Sequence, residues 1–528
     1  MTTQRKTLRG IGAAVGALAL AAVGVLAAGT AAYALPGPGQ QGAPTAGSLI
    51  IHKYDGLEGA AGDGSVLNPA PAGDPLAGVT FTIWQLGIDD AGTCVPIDLA
   101  DATAWGSVPT GSAPATLTEV QAAGFCLVDA TGTASAPTDA GGLTSFAGLD
   151  LGLYYLQETG APANVVSRTA PFYVTVPLPN DAATGGWLYD VNVYPKNQTV
   201  DAPVKTINVD AAQPANGLTV GDVVQWTITE TVPPLDAGQS YTSASIWDVL
   251  PASLSYTAGI NTQSVTLTRA GVPATWVDGT EYTFDPDGLT WTLNTNGGVP
   301  DIIDTIQAGD IITITFTTTV ESVTTTGAIA NPGGTGVGPG YGSGFNGGTT
   351  TGATTPQTYW GQLTVNKEDD LGNPLSGATF QVFDNYDAGT SSCPSALPTS
   401  GAVATGTSDS TGVVQWDNTD PASEPLGLWI ANSANGPIDP APTKSYCLYE
   451  TVVPVGHTAV QTGQAVSIAA GTANALVQDV VNTRRTTPNL PLTGGQGTVV
   501  LSIAGLAIAA TGVGTIILKR RRRSDSGA

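Results

Sequence analysis

The sequence predicts an all-β protein built from tandem β-sandwich domains. Charged residues make up only 11% of its 528 residues, while Gly, Thr, Val, Ala and Pro recur in short alternating runs that turn residues interrupt. Such runs are typical of β-sandwiches rather than of helices. Once the two ends are set aside, about 460 residues remain, which suggests three domains of roughly 150 residues each. Outside the two ends, no amphipathic helix stands out.

Residues 1–34 have the pattern of a signal peptide. Arg5, Lys6 and Arg9 precede an apolar stretch, and the Ala-Tyr-Ala sequence at 32–34 supplies a small-x-small cleavage site. We therefore expect an exported chain that begins near residue 35.

Residues 487–528 combine a short motif, an apolar run and a basic cluster in that order. The apolar run covers about 499–518, long enough for a helix across a ~30 Å hydrocarbon core. The basic cluster at 519–523 would hold the end of the chain in the cytoplasm. This order resembles the cell-wall sorting signal of Gram-positive surface proteins, in which a sortase cleaves the Thr–Gly bond of an LPxTG motif. The motif residues here are Leu490, Pro491, Leu492, Thr493 and Gly494.

The expected exported part, residues 35–493, is strongly acidic. It contains nine lysines and arginines against 41 aspartates and glutamates. This balance argues against nucleic acid or an anionic membrane as a partner.

Four cysteines in an exported chain are expected to form disulfides. Cys94 and Cys126 lie in the first third of the chain, and Cys393 and Cys447 lie in the last third. Three pairings are possible, and pairing within each third is the expectation.

The first and last thirds contain an internal repeat. Leu-Ile-Ile-His-Lys at 49–53 and Leu-Thr-Val-Asn-Lys at 363–367 are each followed by a Pro-Leu-x-Gly segment and later by an aromatic strand ending in Glu-Thr. The two copies resemble the CnaB-type immunoglobulin-like domain of Gram-positive pilins and adhesins, whose E-box contains that glutamate. The resemblance implies immunoglobulin-like domains at 35–198 and 358–486.

The segment 199–357 has a different pattern, with Val-Lys-Thr-Ile-Asn-Val at 204–209 and Ile-Trp-Asp-Val-Leu-Pro at 246–251. It resembles the fimbrial D2 (CnaA-like) domain. Its Gly/Thr-rich stretch at 333–355 is expected to be a long loop or linker.

Only five lysines lie between the two ends, and three alternate with apolar residues along expected strands. Because successive strand residues face opposite sides of a sheet, Lys53, Lys205 and Lys367 should point into a core. A buried lysine tends to lose its proton and a buried carboxylate tends to keep one. The neutral amine could then attack an asparagine carboxamide, with the acid donating a hydrogen bond to the carbonyl oxygen, and ammonia would leave.

The resemblance implies three such intramolecular Lys–Asn isopeptide sites, each with an acid that promotes the reaction. A buried Lys–carboxylate salt bridge is the alternative at each site, and Asn192 competes as the acceptor in the first. The sites are Lys53, Glu158 and Asn197; Lys205, Asp248 and Asn331; and Lys367, Glu450 and Asn482.

Tyr194-Pro195-Lys196-Asn197 resembles the YPKN pilin motif. Alternation along this strand places Asn197 on the inward face and Lys196 on the solvent side. The resemblance implies that Lys196 resolves a sortase-bound Thr493 of a neighbouring subunit. The fifth lysine, Lys444, has no expected role.

From end to end, the chain resembles a major (shaft) pilin of the SpaH/EbpB type, a structural protein rather than an enzyme. The resemblance implies a covalent homopolymer on the cell wall that supports adhesion. The implied partners are other copies of the chain, a pilin-specific and a housekeeping sortase, a tip pilin, the peptidoglycan precursor, and host or bacterial surface receptors. No metal or other cofactor is expected.

The alternatives to a shaft pilin are an adhesin and an extracellular hydrolase. A wall-anchored or tip adhesin built from the same domains would not polymerise. An extracellular hydrolase finds little support, because His52 and His457 form no evident catalytic triad or metal cluster.

Overall fold

The computed structural model describes residues 36–59, 61–180, 186–209, 217–295, 301–417, 425–458, 462–485 and 506. The expected signal peptide and LPxTG motif lie outside the described residues, as does the expected membrane span apart from Leu506. No helix within the described ranges is long and apolar enough to cross a membrane. The chain divides into two compact units, Met1–Thr199 with Pro233–Ser240, and Val200–Val232 with Tyr241–Ala528.

The described residues of the first unit are almost entirely β-structure, with the short α-helix α1 (Leu117–Ala122) and a 3-10 turn at Ala104–Ser107. Its strands are β1 (Ala46–His52), β2 (Tyr54–Asp55), β3 (Thr80–Asp90), β4 (Thr93–Pro96), β5 (Cys126–Leu127), β6 (Thr133–Ala134), β7 (Leu143–Asp150), β8 (Gly152–Gly160), β9 (Val165–Ser167), β10 (Phe172–Val176), β11 (Leu178–Pro179), β12 (Trp187–Leu188), β13 (Asp190–Val193) and β14 (Lys196–Thr199).

The sheets of this unit bring the first and last strands side by side. One sheet has the order β13-β1-β7, a second β10-β8-β3-β4 and a third β2-β14-β9. β1 pairs with β13 and β2 pairs with β14, both in parallel. Leu49 and Ile51 of β1 pack with Phe81, Leu156 and Val191 in one buried core. Lys53 directly follows β1 and is therefore adjacent to that core.

The second unit starts with two antiparallel sheets, β15-β16-β23-β19-β20 and β21-β22-β17-β25-β26, and one short helix, α2 (Ile302–Thr305). The strands are β15 (Val204–Ile207), β16 (Val223–Thr231), β17 (Ala244–Val249), β18 (Leu254–Ser255), β19 (Gln263–Arg269), β20 (Val272–Trp276), β21 (Tyr282–Asp285), β22 (Thr290–Leu293), β23 (Ile311–Val320), β24 (Ala328–Ala330), β25 (Gly340–Phe345) and β26 (Gly348–Thr351).

Two further sheets complete this unit, β24-β27-β35-β33 with β31 beside β27, and β30-β29-β28-β32-β34. A 3-10 turn covers Thr472–Asn474. The strands are β27 (Gln357–Asp369), β28 (Thr379–Phe383), β29 (Ala402–Ser408), β30 (Val414–Trp416), β31 (Leu426–Ser433), β32 (Thr443–Val452), β33 (His457–Thr458), β34 (Gln464–Ala469) and β35 (Leu476–Arg484).

One long strand joins the expected middle and C-terminal domains. The first residues of β27 pair with β24, while its later residues pair in parallel with β35. The expected boundary at 357/358 therefore falls at the start of a shared strand. This sharing explains why the two expected domains form one compact unit.

Both disulfides pair within a third of the chain, as the sequence analysis expected. Cys94–Cys126 joins β4 to β5, and Cys393–Cys447 joins the loop after β28 to β32, each with a Cα–Cα distance of 5.7 Å.

The expectation of a long loop at 333–355 was wrong, because this stretch forms the hairpin β25–β26. Its glycines let two large aromatic rings lie directly on the backbone. A Cβ on Gly342 would stand 2.5 Å from the indole of Trp247, and one on Gly352 would stand 2.1 Å from the ring of Tyr341. The glycines therefore serve close packing here rather than chain flexibility.

Candidate cross-linking sites

The first unit brings Lys53, Glu158 and Asn197 together in its core. Lys53 follows β1, Glu158 lies on β8 and Asn197 lies on β14. The Lys53 Nζ lies 2.6 Å from Asn197 Oδ1 and 3.0 Å from Glu158 Oε2. The Asn197 Nδ2 donates to Glu158 Oε1 at 2.8 Å. Amine, acid and carboxamide are therefore in mutual contact and sealed from solvent.

Burial lowers the pKa of Lys53, because an ammonium loses its hydration inside the core. The carboxylates of Glu158, Glu58 and Asp236 oppose this effect and raise the pKa. Asp236 belongs to the 233–240 segment, which the chain contributes to the first unit from a distant part of the sequence.

The competing acceptor, Asn192, is turned away from the amine. Its Oδ1 lies 2.9 Å from His52 Nε2, and its Nδ2 faces the carbonyl oxygen of Gly64. The structure therefore brings Asn197 rather than Asn192 to Lys53.

Two residues that the sequence analysis did not single out also contact this site. The backbone N–H of Thr169 donates to Asn197 Oδ1 at 2.9 Å. The Thr169 hydroxyl in turn donates to Glu58 Oε1. No motif distinguishes Thr169, because its contribution comes from the main chain.

The second site joins Lys205 of β15, Asp248 of β17 and the residue after β24, Asn331. Lys205 Nζ donates to Asp248 Oδ2, and Asn331 Nδ2 donates to Asp248 Oδ1 at 2.8 Å. The amine lies 4.7 Å from the ring centroid of Trp226 and 5.3 Å from that of Phe316. Burial lowers the pKa of Lys205 to about 8, although Asp248 opposes the shift.

The third site contains Lys367 of β27, Glu450 of β32 and Asn482 of β35. Asn482 Nδ2 donates to Glu450 Oε1 at 2.8 Å. Lys367 Nζ donates to the carbonyl oxygens of Val480 at 2.7 Å and Glu368 at 3.2 Å. Burial lowers the pKa of Lys367, with Glu450 as the largest opposing charge.

In all three sites the carboxylate faces the nitrogen of the asparagine amide. The sequence analysis expected the acid at the carbonyl oxygen instead. At each site the amide N–H donates to a carboxylate oxygen of the acid. The geometry places the acid beside the group that would leave as ammonia.

Lys196 is not on an open surface, and the expectation of solvent exposure was wrong. Strand alternation does place it opposite Asn197, but the side chain is only 9% exposed. The 56–75 loop covers it, and Lys196 Nζ donates to the carbonyl oxygen of Ala72 at 2.8 Å. The same loop also contacts Tyr194, whose hydroxyl accepts from the Leu67 N–H at 2.8 Å.

The internal repeat shows what this loop adds. In the first copy of the repeat, residues 58–74 lie between Leu57 and Pro75. In the second copy, only two residues, Gly372 and Asn373, lie between the corresponding positions. The counterpart of Lys196 there is Val481, which precedes the acceptor asparagine and is 43% exposed. Lys196, whose amine the inserted segment contacts through Ala72, is thus less exposed than its counterpart.

The fifth lysine is held at the surface by local contacts. Lys444 Nζ forms an ion pair with Asp384 at 3.0 Å and lies 4.9 Å from the ring centroid of Trp429. It has no asparagine partner like those of the three buried lysines. Thr493 and the rest of the LPxTG motif lie outside the described residues.

Comparisons with known proteins identify the family to which the chain belongs. Residues 44–198 match the family of the Gram-positive pilin subunit D1, N-terminal domain. Residues 486–526 match the LPXTG cell wall anchor motif. The fold and the anchor thus define a pilin that is attached to the cell wall.

A curated relative covers nearly the whole chain. "Fimbrial subunit type 2" of Actinomyces naeslundii is 30% identical over 549 residues, covering 97% of this chain and 96% of that protein. "Fimbrial subunit type 1" of Actinomyces viscosus is 30% identical over 235 residues, covering 44% of this chain and 40% of that protein. The chain belongs to the family of Gram-positive fimbrial subunits.

Two solved structures share the fold. The full-length major pilin SpaD from Corynebacterium diphtheriae superposes with a TM-score of 0.58 at 22% identity, covering 84% of this chain and 98% of that one. The major pilin SpaA from the same organism gives a TM-score of 0.51 at 19% identity, covering 83% of this chain and 100% of that one.

Proposed function

We propose that this chain is the shaft subunit of a covalently polymerised fimbria, with Thr493 of one subunit joined to Lys196 of the next. The observation that carries the proposal is the position of Lys196 in a YPKN segment of a wall-anchored pilin. Three other lysines are buried in the protein core, namely Lys53, Lys205 and Lys367. Lys444 forms an ion pair with Asp384. A single loop separates Lys196 from solvent.

The reaction would be an acyl transfer. A pilin-specific sortase cleaves Thr493–Gly494 and holds the Thr493 carbonyl as a thioester, and Lys196 Nζ attacks that carbonyl to form an amide. The Ala72 carbonyl must release Lys196 first, because a hydrogen-bonded, covered amine cannot reach an acyl-enzyme. The 56–75 loop therefore has to move before the reaction.

Replacing Lys196 by Ala tests this function. On the producing cell wall the parent protein should form a ladder of high-mass species that resists SDS, whereas Lys196→Ala should give wall-linked monomer only. Lys444→Ala is the matched control, since it removes a lysine outside the YPKN segment and should keep the ladder. A ladder of normal length from Lys196→Ala would overturn the shaft function and favour the wall-anchored or tip adhesin.

We also infer that the three buried lysines form intramolecular isopeptide bonds with Asn197, Asn331 and Asn482. Three features support this: each amine has a lowered pKa, each acid contacts the asparagine amide nitrogen, and each lysine and asparagine is buried. At the first site the amine also contacts the carboxamide oxygen, and a neutral amine held there would gain the rate advantage of proximity.

The remaining partners follow from the same function. A housekeeping sortase would join the base of the polymer to the peptidoglycan precursor, and a tip pilin would end it. Adhesion would then involve host or bacterial surface receptors, which the polymer presents away from the cell.

A further inference from the structure

The three cross-linking sites differ in what contacts the asparagine carbonyl oxygen. This oxygen has no hydrogen-bond partner in Asn331 and Asn482 within the described part of the chain. In Asn197 it accepts from the backbone N–H of Thr169 at 2.9 Å and from Lys53 Nζ at 2.6 Å. The first site therefore has a donor that the other two lack.

The Thr169 contact also fixes the orientation of the amide. A backbone N–H can only donate, so the atom that faces it must be the oxygen of Asn197. The Nδ2 then points at Glu158 Oε1, while Glu158 Oε2 faces Lys53 Nζ at 3.0 Å. One carboxylate oxygen thus faces the attacking amine and the other faces the leaving amide nitrogen, with Arg168 Nε 3.9 Å from Oε1.

We propose that the backbone N–H of Thr169 is the oxyanion donor for formation of the Lys53–Asn197 isopeptide bond. This inference rests on the internal cross-links of the proposed function and extends them. Nucleophilic attack on an amide places negative charge on its oxygen, and a donor about 2.7–3.1 Å away in a dry site stabilises that charge. Thr169 N–H meets this distance at a fully buried Asn197.

The step balances as an exchange of one amide for another. The neutral Lys53 Nζ bonds to Asn197 Cγ, and the electron pair of the carbonyl moves onto Oδ1, which Thr169 N–H holds. Glu158 takes a proton from Nζ through Oε2 and returns one to Nδ2 through Oε1. The Cγ–Nδ2 bond then breaks, ammonia leaves and the carbonyl re-forms.

Glu58 also contacts this arrangement. Its Oε1 accepts from the Thr169 hydroxyl and faces the Lys196 backbone N–H at 3.3 Å. Glu58 thereby joins the loop over Lys196 to the residue that donates to Asn197.

A substitution that removes the backbone N–H of residue 169 tests the proposal. Thr169→Pro lacks the donor, whereas Thr169→Val keeps the N–H and loses only the hydroxyl. The measurement is the amount of Lys53–Asn197 cross-linked peptide as a function of time after purification of the full exported chain. Thr169→Pro should form it at least tenfold more slowly, since loss of one oxyanion donor costs about 10²–10³ in enzymes. Thr169→Val should stay within about threefold of the parent, because its main-chain donor is intact.

A rate for Thr169→Pro equal to that of the parent overturns the proposal. So does a parent protein in which the middle and C-terminal pairs are linked while Lys53 and Asn197 stay unlinked; that result leaves the shaft function and the other cross-links standing.

A second measurement does not depend on the folding of the proline variant. In Lys53→Met, which cannot cross-link, the Thr169 amide should be protected from hydrogen exchange because it remains bonded to the buried Asn197 oxygen. Exchange at Thr169 as fast as at an exposed loop amide would show that no donor is held there, and the proposal would fail.

Discussion

One carboxyl group in the middle part of the chain lies in the core with no cationic partner among the described residues. Glu230 on β16 is 1% exposed and shares the inward face with Trp226 and Ile228. Ser343 lies nearby in the core and Asp201 adds negative charge. Burial raises the pKa of Glu230 to about 7. We infer that the folded chain holds this group as a neutral acid below that pH.

The stability of the second unit should therefore fall as the pH rises toward neutrality. Between about pH 4.5 and pH 7 the folded state keeps a proton on Glu230 that the unfolded state has released, so raising the pH favours unfolding. The change is on the order of 3 kcal/mol. Thermal unfolding at pH 5 and pH 8 should show this slope in the parent and a much flatter profile in Glu230→Gln.

The exposed Glu321→Gln is the control for that experiment. It makes the same chemical change in the same unit at the surface, so the slope should remain. Equal slopes in Glu230→Gln and the parent would contradict the assignment of the pH dependence to Glu230.

The mass of the exported chain distinguishes cross-links from salt bridges at the three buried lysines. Each isopeptide bond releases one ammonia, so three bonds should lower the disulfide-corrected mass by about 51 Da, about 17 Da for each. Lys205→Met should restore one such equivalent, and Lys444→Met should restore none. A parent mass equal to its disulfide-corrected sequence mass would identify the buried lysines as salt-bridged.

Strand periodicity predicted much of the site at the residue scale, because a lysine that alternates with Leu49 and Ile51 has to enter the same core. It could not predict the burial of Lys196 or the role of Thr169. The first depends on a loop from a distant part of the sequence, and the second on a main-chain N–H that every residue except proline carries.

At the scale of elements, two local sequence signals mark structure that strand alternation does not predict. Thr116 and Glu119 form a capping box around α1, and this Thr-x-x-Glu spacing is a helix start signal. Asn346 and Gly347 form the left-handed turn of the β25–β26 hairpin, with φ of 48° and 81°. The glycine content of the hairpin strands obscured that signal, since glycine is usually depleted in strands.

The 56–75 loop gives a prediction at this scale. Replacing residues 58–74 by Gly-Asn, as in the last third of the chain, should expose the Lys196 amine as Val481 is exposed. Acylation of Lys196 by an N-hydroxysuccinimide ester, measured by peptide mass mapping, should then be several-fold faster than in the parent.

Lys444 in the same sample is the internal reference, because its contacts with Asp384 and Trp429 are untouched. Recovery of the Cys94–Cys126 peptide verifies that the first unit folds. An unchanged rate at Lys196 would show that the loop does not control its access.

At the scale of the whole molecule, the proposed Lys367–Asn482 cross-link of the C-terminal sandwich would lie where tension enters the domain. Lys367 on β27 and Asn482 on β35 lie on adjacent parallel strands, so pulling the chain ends apart shears those two strands. An isopeptide bond between them would bypass all of the intervening residues 368–481. The sandwich could not then extend under load.

Lys367→Met should remove this resistance. In single-molecule pulling of the exported chain, the Cys393–Cys447 disulfide keeps residues 394–446 out of the load path. Unfolding of 368–393 and 447–481 would then add a step of about 210 Å, at ~3.5 Å per residue. The parent and Lys444→Met should lack that step. Its presence in the parent would mean that Lys367 and Asn482 are not linked.

The merging of two expected domains also belongs to this scale. The sequence pattern changes near residue 357, which predicts a domain boundary there. The pattern could not show that β27 would pair with β24 of the expected middle domain as well as with β35 of the C-terminal domain. Pairing over that distance depends on tertiary contacts that a local window does not contain.

The scarcity and placement of basic residues have a consequence for digestion. Trypsin-like proteases cut after lysine or arginine, and nicking concentrates at exposed loop tips. Cutting after Lys53 would require opening the packed core, and cutting after Arg168 would require the Thr169 N–H to leave Asn197. At the hairpin tip after Arg269, the guanidinium that a protease would bind is held by Asp310. A fimbria made of this chain would therefore present few usable cleavage sites to the digestive enzymes of a host.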